Sequence, residues 1–348
     1  MKKGYITAFI CAIICFSCQS EANNFEQSPS QRNAAHISAL RHELTQAPNG
    51  WKMIYFSKTD SLLFSNKDEV IESLGDFRSL YGYGGHYFLV KFNEDGRLQM
   101  LSDYDENSVK EPKESLFEVK QNSFTQLSFT TYNYLHRLVN DKFEGASDFL
   151  YVGKDFRQNL LFRTSKSLEP AREYIVLEKL PSTEAWQGNA ETKSHIEKAY
   201  DNRLFFDEMK NPQIRIRQSG KTFFESDVKI KTDSRLPSYI HFLNNIKVKR
   251  FYLFRFNKKP DLVYPNIPKE STGLGSGYVG TEDGISFRAG LRYNANIIFY
   301  DFKREGDTFV CELVKVYDPI GKRYMYESKH LFPNGEPTFF IAEIFDKK

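Results

Sequence analysis

YFLVKFNEDGRLQML, at residues 87–101, gives the strongest structural signal in this chain of 348 residues. Two apolar runs flank a polar turn, and Asp95-Gly96 supplies the left-handed backbone position that tight hairpins require. Aromatic and β-branched side chains in the first run favour extended backbone. The stretch therefore predicts an antiparallel β-hairpin.

Similar signals occur on both sides of this hairpin. Apolar residues at helical spacing predict helices at residues 32–45, 132–139 and 189–209. The predicted fold class is mainly β (α+β), with two antiparallel β-rich lobes that are each preceded by a helix. Short apolar runs bounded by turn residues predict the remaining strands, at residues 51–56, 116–119, 126–130, 148–152, 159–163, 173–180, 213–217, 221–224, 228–231, 246–256, 285–287, 297–302, 308–316, 323–328 and 339–345.

The predicted organisation has five segments. Residues 1–17 are predicted to be a lipoprotein signal peptide. Residues 18–32 are polar and contain Ser and Pro, which is typical of a flexible tether. Residues 33–180 are predicted to form an N-terminal lobe, residues 181–211 a linker and helix, and residues 212–348 a C-terminal lobe.

The N-terminus has the layout of an export signal. Lys2 and Lys3 precede an apolar run at residues 5–16, which is shorter than the roughly 20 residues that a membrane-spanning helix needs. The run ends in Ser17 and Cys18, and CFSC resembles the bacterial lipobox, in which the cysteine receives lipid and becomes the new N-terminus. Cleavage between Ser17 and Cys18 with lipid attachment at Cys18 is predicted. The alternative is an ordinary cleaved signal peptide with an idle cysteine.

Cysteine usage and charge narrow the classes of function. Cys11 and Cys15 lie in the predicted signal peptide, so Cys311 is the one thiol left beside Cys18, and the fold must rely on its core rather than on a disulfide. Removal of residues 1–17 takes away two lysines and no acid, which leaves 46 basic against 45 acidic residues. This balance gives no electrostatic case for nucleic acid as a partner.

Three stretches resemble a family of Bacteroidetes lipoproteins that is catalogued as domain of unknown function 4302. They are APNGWK at residues 47–52 with Tyr55 after it, the hairpin segment YFLVKFNEDGRL, and LSFTTYN at residues 127–133 with Leu135-His136 after it. The resemblance implies a lipid-anchored envelope protein, often encoded near outer-membrane nutrient-uptake systems of the paired receptor and porin type. It brings no known catalytic residues.

Two stretches partly match ligand-binding motifs. GSGYVG at residues 275–280 fits G-x-G-x-x-G, but a dinucleotide site needs a helix after the motif, and a strand is predicted there. The glycines are predicted to mark a flexible loop. Asp103, Asp105 and Glu114 fit positions 1, 3 and 12 of a calcium loop, but Ser108 replaces the sharp-turn glycine and the flanks are predicted strands. A solvated hairpin loop is predicted there instead.

Histidines and basic residues do not define a site in the sequence. His42-Glu43 begins like the zinc-peptidase motif H-E-x-x-H, but Gln46 stands at its last position. No catalytic, cofactor-binding or metal-binding residue is therefore predicted, and no cofactor. The other histidines are scattered, at His36, His86, His136, His195, His241 and His330. A basic series flanks one predicted strand, where it would protect an edge or form a docking patch: Lys247, Lys249, Arg250, Arg255, Lys258 and Lys259.

The predicted function is that of a non-enzymatic binding or accessory protein of outer-membrane nutrient uptake, held on the outer membrane by its lipid. A glycan or another small ligand and an uptake complex are the expected partners. Two alternatives stay open. One is an envelope hydrolase acting on glycan or peptide, because paired carboxylates need only be close in space. The other is a structural subunit of a receptor complex. The sequence does not distinguish the cell surface from the periplasmic face.

Overall fold

The chain folds into two antiparallel sheets, which confirms the predicted mainly β class. A computed structural model describes residues 28–57, 84–140, 145–164, 174–188, 191–231, 251–254, 275–292 and 297–348. Within these ranges, no helix is long and apolar enough to cross a membrane.

The first sheet is a closed barrel of eight strands in sequence order, in which each strand pairs with the next and β1 pairs with β8. Three helices accompany it: α1 (Pro29–Thr45), α2 (Glu106–Lys110) and α3 (Tyr134–Asn140). The strands are β1 (Trp51–Phe56), β2 (Gly85–Phe92), β3 (Arg97–Ser102), β4 (Lys113–Gln121), β5 (Thr125–Phe129), β6 (Asp148–Lys154), β7 (Leu160–Thr164) and β8 (Tyr174–Lys179).

Alternation along β1 separates the barrel interior from its outer face. Trp51, Met53 and Tyr55 are fully buried among the core side chains, whereas the residues between them point outward. Helix α1 adds Leu40 and Leu44 to the same core. The helix is therefore part of the packed structure of the barrel.

Helix α1 begins earlier than the sequence predicted. Ser28 caps it through a capping box with Gln31, and proline occupies the first turn at Pro29. The predicted tether at residues 18–32 is wrong over its last part, because this cap makes residues 29–32 helical.

The second sheet follows two further helices, α4 (Glu184–Gln187), which was not predicted, and α5 (His195–Asp207). The strand order is β14-β13-β12-β11-β10-β9-β17-β15-β16, and β14 also pairs with β15. The strands are β9 (Pro212–Gln218), β10 (Lys221–Lys231), β11 (Phe251–Phe254), β12 (Gly275–Gly280), β13 (Gly284–Arg292), β14 (Ile298–Glu305), β15 (Thr308–Asp318), β16 (Arg323–Ser328) and β17 (Glu336–Asp346).

Two element predictions in this half are corrected. The two strands predicted at residues 221–224 and 228–231 form the single strand β10, which carries a register shift between Thr222 and Phe224. Helix α5 is shorter than the predicted 189–209, because Ser194 and Glu197 form a capping box that sets its start. Phe206 of this helix lies in the core of the second sheet, with its ring centroid 4.8 Å from that of Tyr278.

The barrel and the second sheet share a third apolar cluster. Every residue of β2 except Lys91 is buried, because one face of the strand fills the barrel and the other packs on α5 and β12. Tyr87 and Leu89 meet Ile196 and Val279 in this cluster. Packing on both faces explains why the first run of the hairpin is apolar without alternation.

The G-x-G-x-x-G stretch lies at this contact as strand β12, so the predicted flexible loop is wrong. A Cβ atom on Gly280 would lie 2.0 Å from the carbonyl oxygen of Ala199 in α5. A Cβ on Gly85 of β2 would lie 2.7 Å from Cβ of Val279. The glycines therefore allow close backbone approach between the two sheets and the helix.

Candidate functional site

A half-open cavity of about 390 Å³ lies where the barrel meets the second sheet, and we call it the junction cleft. The outer faces of β1 and β8 form one side, the turn after β12 and strands β13, β14 and β16 form the other, and the β6–β7 turn contributes to the rim. Its lining consists of Lys52, Ile54, Phe56, Asp155, Arg157, Val176, Glu178, Thr281, Glu282, Asp283, Ser286, Phe287, Arg288, Tyr300, Asp301, Glu327, His330 and Leu331.

An ion pair between the two sheets lies on one side of the cleft. Nζ of Lys52 lies 2.8 Å from Oε1 of Glu282 and 3.3 Å from Oε2 of Glu178. Burial alone would lower the pKa of Lys52, but the two carboxylates outweigh it and raise the pKa. Burial likewise opposes ionisation of Glu282, yet Lys52 holds the pKa of this carboxyl below its usual range. Both groups are therefore charged at neutral pH.

The Glu282 carboxylate is buried, and two further polar side chains lie beside it. Nδ1 of His195 lies 4.0 Å from Oε1 of this carboxylate, and burial lowers the pKa of this imidazole. Burial raises the pKa of the Tyr87 hydroxyl, and the nearby Glu282 carboxylate is the next largest cause of this increase. The buried carboxylate of Glu282 is therefore surrounded by Lys52, His195 and the Tyr87 hydroxyl.

The opposite wall carries a second acidic group. Asp301 of β14 faces Ser286 of β13 across the strand pair, and the Ser328 hydroxyl donates to the Asp301 carbonyl at 2.5 Å. Burial raises the pKa of Asp301. Burial and the charge of Asp301 together raise the pKa of Glu327 to about 7. Near neutral pH, Glu327 is thus divided between its protonated and charged forms.

The charges of the cleft do not balance. Six carboxyl groups line it, against three permanent cations and His330, whose pKa is lowered by burial. Lys52 already serves two of those carboxylates. Tyr300, a residue that is 36% exposed, adds an aromatic side chain. Carboxylates beside an aromatic ring are the features that attract a positively charged organic group.

A second buried polar network lies beneath the same junction and is structural. The Arg203 guanidinium of α5 lies 2.8 Å from Oδ2 of Asp207 and 3.8 Å from Oδ2 of Asp103 at the end of β3. Asp103 also accepts a hydrogen bond from the Tyr87 backbone N–H at 3.0 Å. The Tyr278 hydroxyl donates to Asp207. Side chains of the barrel, helix α5 and β12 are thereby linked.

The three acids of the calcium template do not come together. Asp103 is fully buried in that network, so the predicted solvated loop is wrong at this residue. Asp105 caps helix α2 by accepting from the Ser108 backbone N–H at 2.9 Å, and Glu114 is exposed on β4. Among the described residues, no group of three or more His, Cys, Asp or Glu side chains could hold a metal ion.

The remaining predicted residues are the lipid site, His241, the basic series and Cys311, and the structure describes only the last of these. Ser17 and Cys18 lie outside the described residues. The same is true of His241 and of all six residues of the basic series between residues 247 and 259. Cys311 is fully buried, with Sγ 3.0 Å from the Ser328 hydroxyl, and burial raises its thiol pKa. Cys311 is therefore a packing residue in the core of the second sheet.

Sequence reasoning missed the residues of the junction cleft. His330 appeared only as a scattered histidine, and Lys52, Glu282 and Glu327 were not singled out. These residues are separated by up to 278 positions and share no spacing. The one usable signal is a polar residue next to an apolar strand position, as at Asp301 before Phe302, and this signal is common on any sheet.

A family model of a domain of unknown function, DUF4302, matches residues 21–306 of the chain. The chain belongs to this family. The match includes the barrel, helix α5 and the second sheet as far as β14, and therefore most of the junction cleft. No curated protein and no solved structure matches the chain.

Proposed function

We propose that this member of the DUF4302 family is a lipid-anchored envelope protein that binds a small organic cation in the junction cleft. In this proposal Cys18 carries the lipid, the outer membrane is the site of action, and the bound molecule is handed to a nutrient-uptake system. The lipobox-like N-terminus and the family resemblance support the location. The charge of the cleft supports the ligand class.

The observation that carries the ligand class is the excess of carboxylates in a cavity built from both sheets. Its volume of about 390 Å³ lies within the range typical of small-molecule sites. Asp283, Asp301 and Glu327 line the same space as Glu282. A cation that enters would neutralise these groups while its apolar part contacts Tyr300.

A second candidate function is hydrolysis of a glycan or peptide. The observation that favours it is the pKa of about 7 at Glu327, next to the charge of Asp301. A carboxyl group that titrates near neutral pH can serve as a general acid or base. In this alternative, Glu327 would transfer the proton and Asp301 would act as the second carboxylate.

Thermal-shift measurements with matched compounds test the binding proposal. The compounds are choline, 1,4-diaminobutane and glucosamine, each beside a neutral counterpart: 3,3-dimethylbutanol, 1,4-butanediol and N-acetylglucosamine. A ligand at a hundred times its dissociation constant adds about 2.7 kcal/mol of stability. We expect stabilisation by at least one cation and none by its neutral counterpart.

The stabilisation by the cation should disappear in Asp283→Asn/Glu327→Gln and persist in Glu118→Gln, which changes an exposed carboxylate of β4. Equal shifts for charged and neutral compounds would refute the proposal.

The hydrolase alternative predicts a different result. A chromogenic glycoside or peptide amide would be turned over, and Glu327→Gln would abolish the turnover while the protein still bound the substrate. Absence of turnover across both classes, together with a cation-specific thermal shift, would favour binding without catalysis.

A further inference from the structure

A second cavity, of about 520 Å³, lies on another part of the surface and shares no lining residue with the junction cleft. Helix α4 and the start of α5 meet the barrel strands β2 and β3 there. We call it the Trp186 groove. Its polar and aromatic lining consists of Asn49, Lys91, Gln99, Lys110, Thr183, Trp186, Gln187, Ser194 and Glu197.

The indole of Trp186 is held in a fixed orientation and remains partly exposed. Its Nε1–H donates to the Asn49 carbonyl oxygen at 2.6 Å. A Cβ on Gly50 would come within 3.1 Å of the ring, so the ring packs directly on that glycine. Gly50 also has φ of 79°, a left-handed conformation that favours glycine. A ring fixed before binding loses little entropy when a ligand stacks on it.

The charge of the groove favours an anion. Lys91 is half-buried on β2 and Lys110 is exposed at the end of α2. Neither ammonium has an ion pair or hydrogen bond in the part of the chain that the structure describes. The one carboxylate of the groove, Glu197, accepts through Oε2 from the Ser194 backbone N–H at 2.7 Å and from the Ser194 hydroxyl at 2.8 Å. Two ammonium groups against one carboxylate leave the groove with a net positive charge.

Amide side chains complete the groove. Gln99 is half-buried on β3 and Gln187 is exposed at the end of α4, and within the described ranges neither amide is bonded to another group. Each amide can both donate and accept, which suits the hydroxyl groups of a carbohydrate. An aromatic ring, free amides and unpaired lysines therefore occupy one cavity.

We propose that the Trp186 groove is a binding site for an acidic saccharide. A sugar ring would lie against the indole, its carboxylate would pair with Lys91 and Lys110, and its hydroxyls would bond to Gln99 and Gln187. An acidic peptide shares the negative charge but not the array of hydroxyls that the free amides suit. The site is independent of the junction cleft and of its proposed cationic ligand.

Intrinsic fluorescence gives a direct assay, because the chain has two tryptophans and Trp51 is fully buried in the barrel. The probes are a galacturonic acid tetramer, a neutral glucose tetramer and a glutamate tetrapeptide. We expect the galacturonic acid tetramer to change the Trp186 emission in a saturable manner. Affinity should fall when salt is raised from 0.05 to about 0.5 M, because the ion pairs are solvent-accessible.

Substitution of the two lysines tests whether they bind the acidic saccharide. Lys91→Gln/Lys110→Gln should weaken binding of the galacturonic acid tetramer at least tenfold, a loss that removal of two ion pairs readily explains. Lys221→Gln, which removes one positive charge at the exposed start of β10, should leave it unaltered. Lys91 and Lys110 make no ion pair or hydrogen bond within the described residues, so the double variant should keep its fold. Circular dichroism would verify this.

The inference is overturned by any of four results: no saturable change with the galacturonic acid tetramer, equal affinity for the neutral tetramer, equal affinity for the peptide, or unchanged affinity in the double variant. The cleft variant Asp283→Asn/Glu327→Gln should bind the tetramer like the parent. Loss of binding in that variant would also contradict a separate site.

Discussion

The Lys52 ammonium on β1 of the barrel lies 2.8 Å from Oε1 of Glu282 in the turn after β12, 230 positions later in the chain. Their side chains are 14% and 15% exposed, so the pair is largely withdrawn from water. It bridges the two sheets at the same place where glycines bring their backbones together. The cleft that we propose as the ligand site is therefore built on a charged contact between the two halves.

Replacing Lys52 with methionine should destabilise the protein strongly. The change leaves Glu282 largely buried without its cation, and breaking a buried pair costs about 3 kcal/mol or more. Chemical denaturation would measure the loss. Lys193→Met removes the cation of an exposed pair with Asp201 and should cost less than about 1 kcal/mol. Similar losses in the two variants would contradict a stabilising role for the junction pair.

Gly280→Ala should also destabilise the protein, for a steric reason. The new methyl group would lie 2.0 Å from the Ala199 carbonyl oxygen, so helix α5 must move away from β12. Overpacking of this kind costs about 3 kcal/mol. Gly306→Ala is the control, since nothing lies within 4 Å of its Cβ and its φ of 60° alone costs about 1 kcal/mol. A smaller loss for Gly280→Ala than for the control would show that helix and strand are not in close contact.

Local signals made much of the fold predictable. The Asp95-Gly96 turn and the alternating strands depend on neighbours in sequence, and β1 and β16 were predicted with their observed bounds, 51–56 and 323–328. Barrel closure between β1 and β8 and the contact of Gly280 with Ala199 depend on partners that are distant in sequence. The cleft brings together Lys52 from the barrel and Glu327 from the second sheet. No residue spacing within one segment of the sequence therefore predicts it.

Replacing Glu327 with glutamine should make stability depend less on pH. The ordinary pKa of 4.5 describes this carboxyl in the unfolded chain, whereas in the folded protein it is about 7. The folded state thus holds the proton more tightly, and the resulting stability is present below about pH 4.5 and is lost as pH rises through 7. Parent and variant should be alike at pH 4, and the variant should be more stable at pH 8 by about 1 kcal/mol once solvent screening is allowed for.

Chemical denaturation of both proteins at several pH values would test this. The difference between them removes the contributions of the other titrating groups. A difference that stays constant from pH 4 to pH 8 would mean that Glu327 titrates normally in the folded protein.

Cys18→Ser should abolish lipid attachment, because Cys18 is the predicted lipid site. The protein should then be released from the membrane or stay tethered by an uncleaved signal peptide. Stable anchoring needs two lipid chains or one chain with a basic patch, and the near-neutral mature chain offers no strong substitute. Labelled fatty acid and detergent partitioning would measure attachment. Cys15→Ser is the matched control. Cys15 lies before the predicted cleavage site, so this variant should still carry lipid on Cys18. An unlabelled parent, or a Cys18→Ser protein labelled like the parent, would contradict the anchor.

Calorimetric titration of the cation with the largest thermal shift, beside its neutral counterpart at pH 6 and pH 8, tests the proposed cleft most directly. We predict that the cation binds at least tenfold more tightly than the neutral compound. Its affinity should rise from pH 6 to pH 8 in the parent, because Glu327 loses its proton near pH 7, and stay level in Glu327→Gln. Choline has a fixed charge and is the preferred compound if it binds. No binding by any cation, or equal binding of the neutral counterpart, would contradict the account.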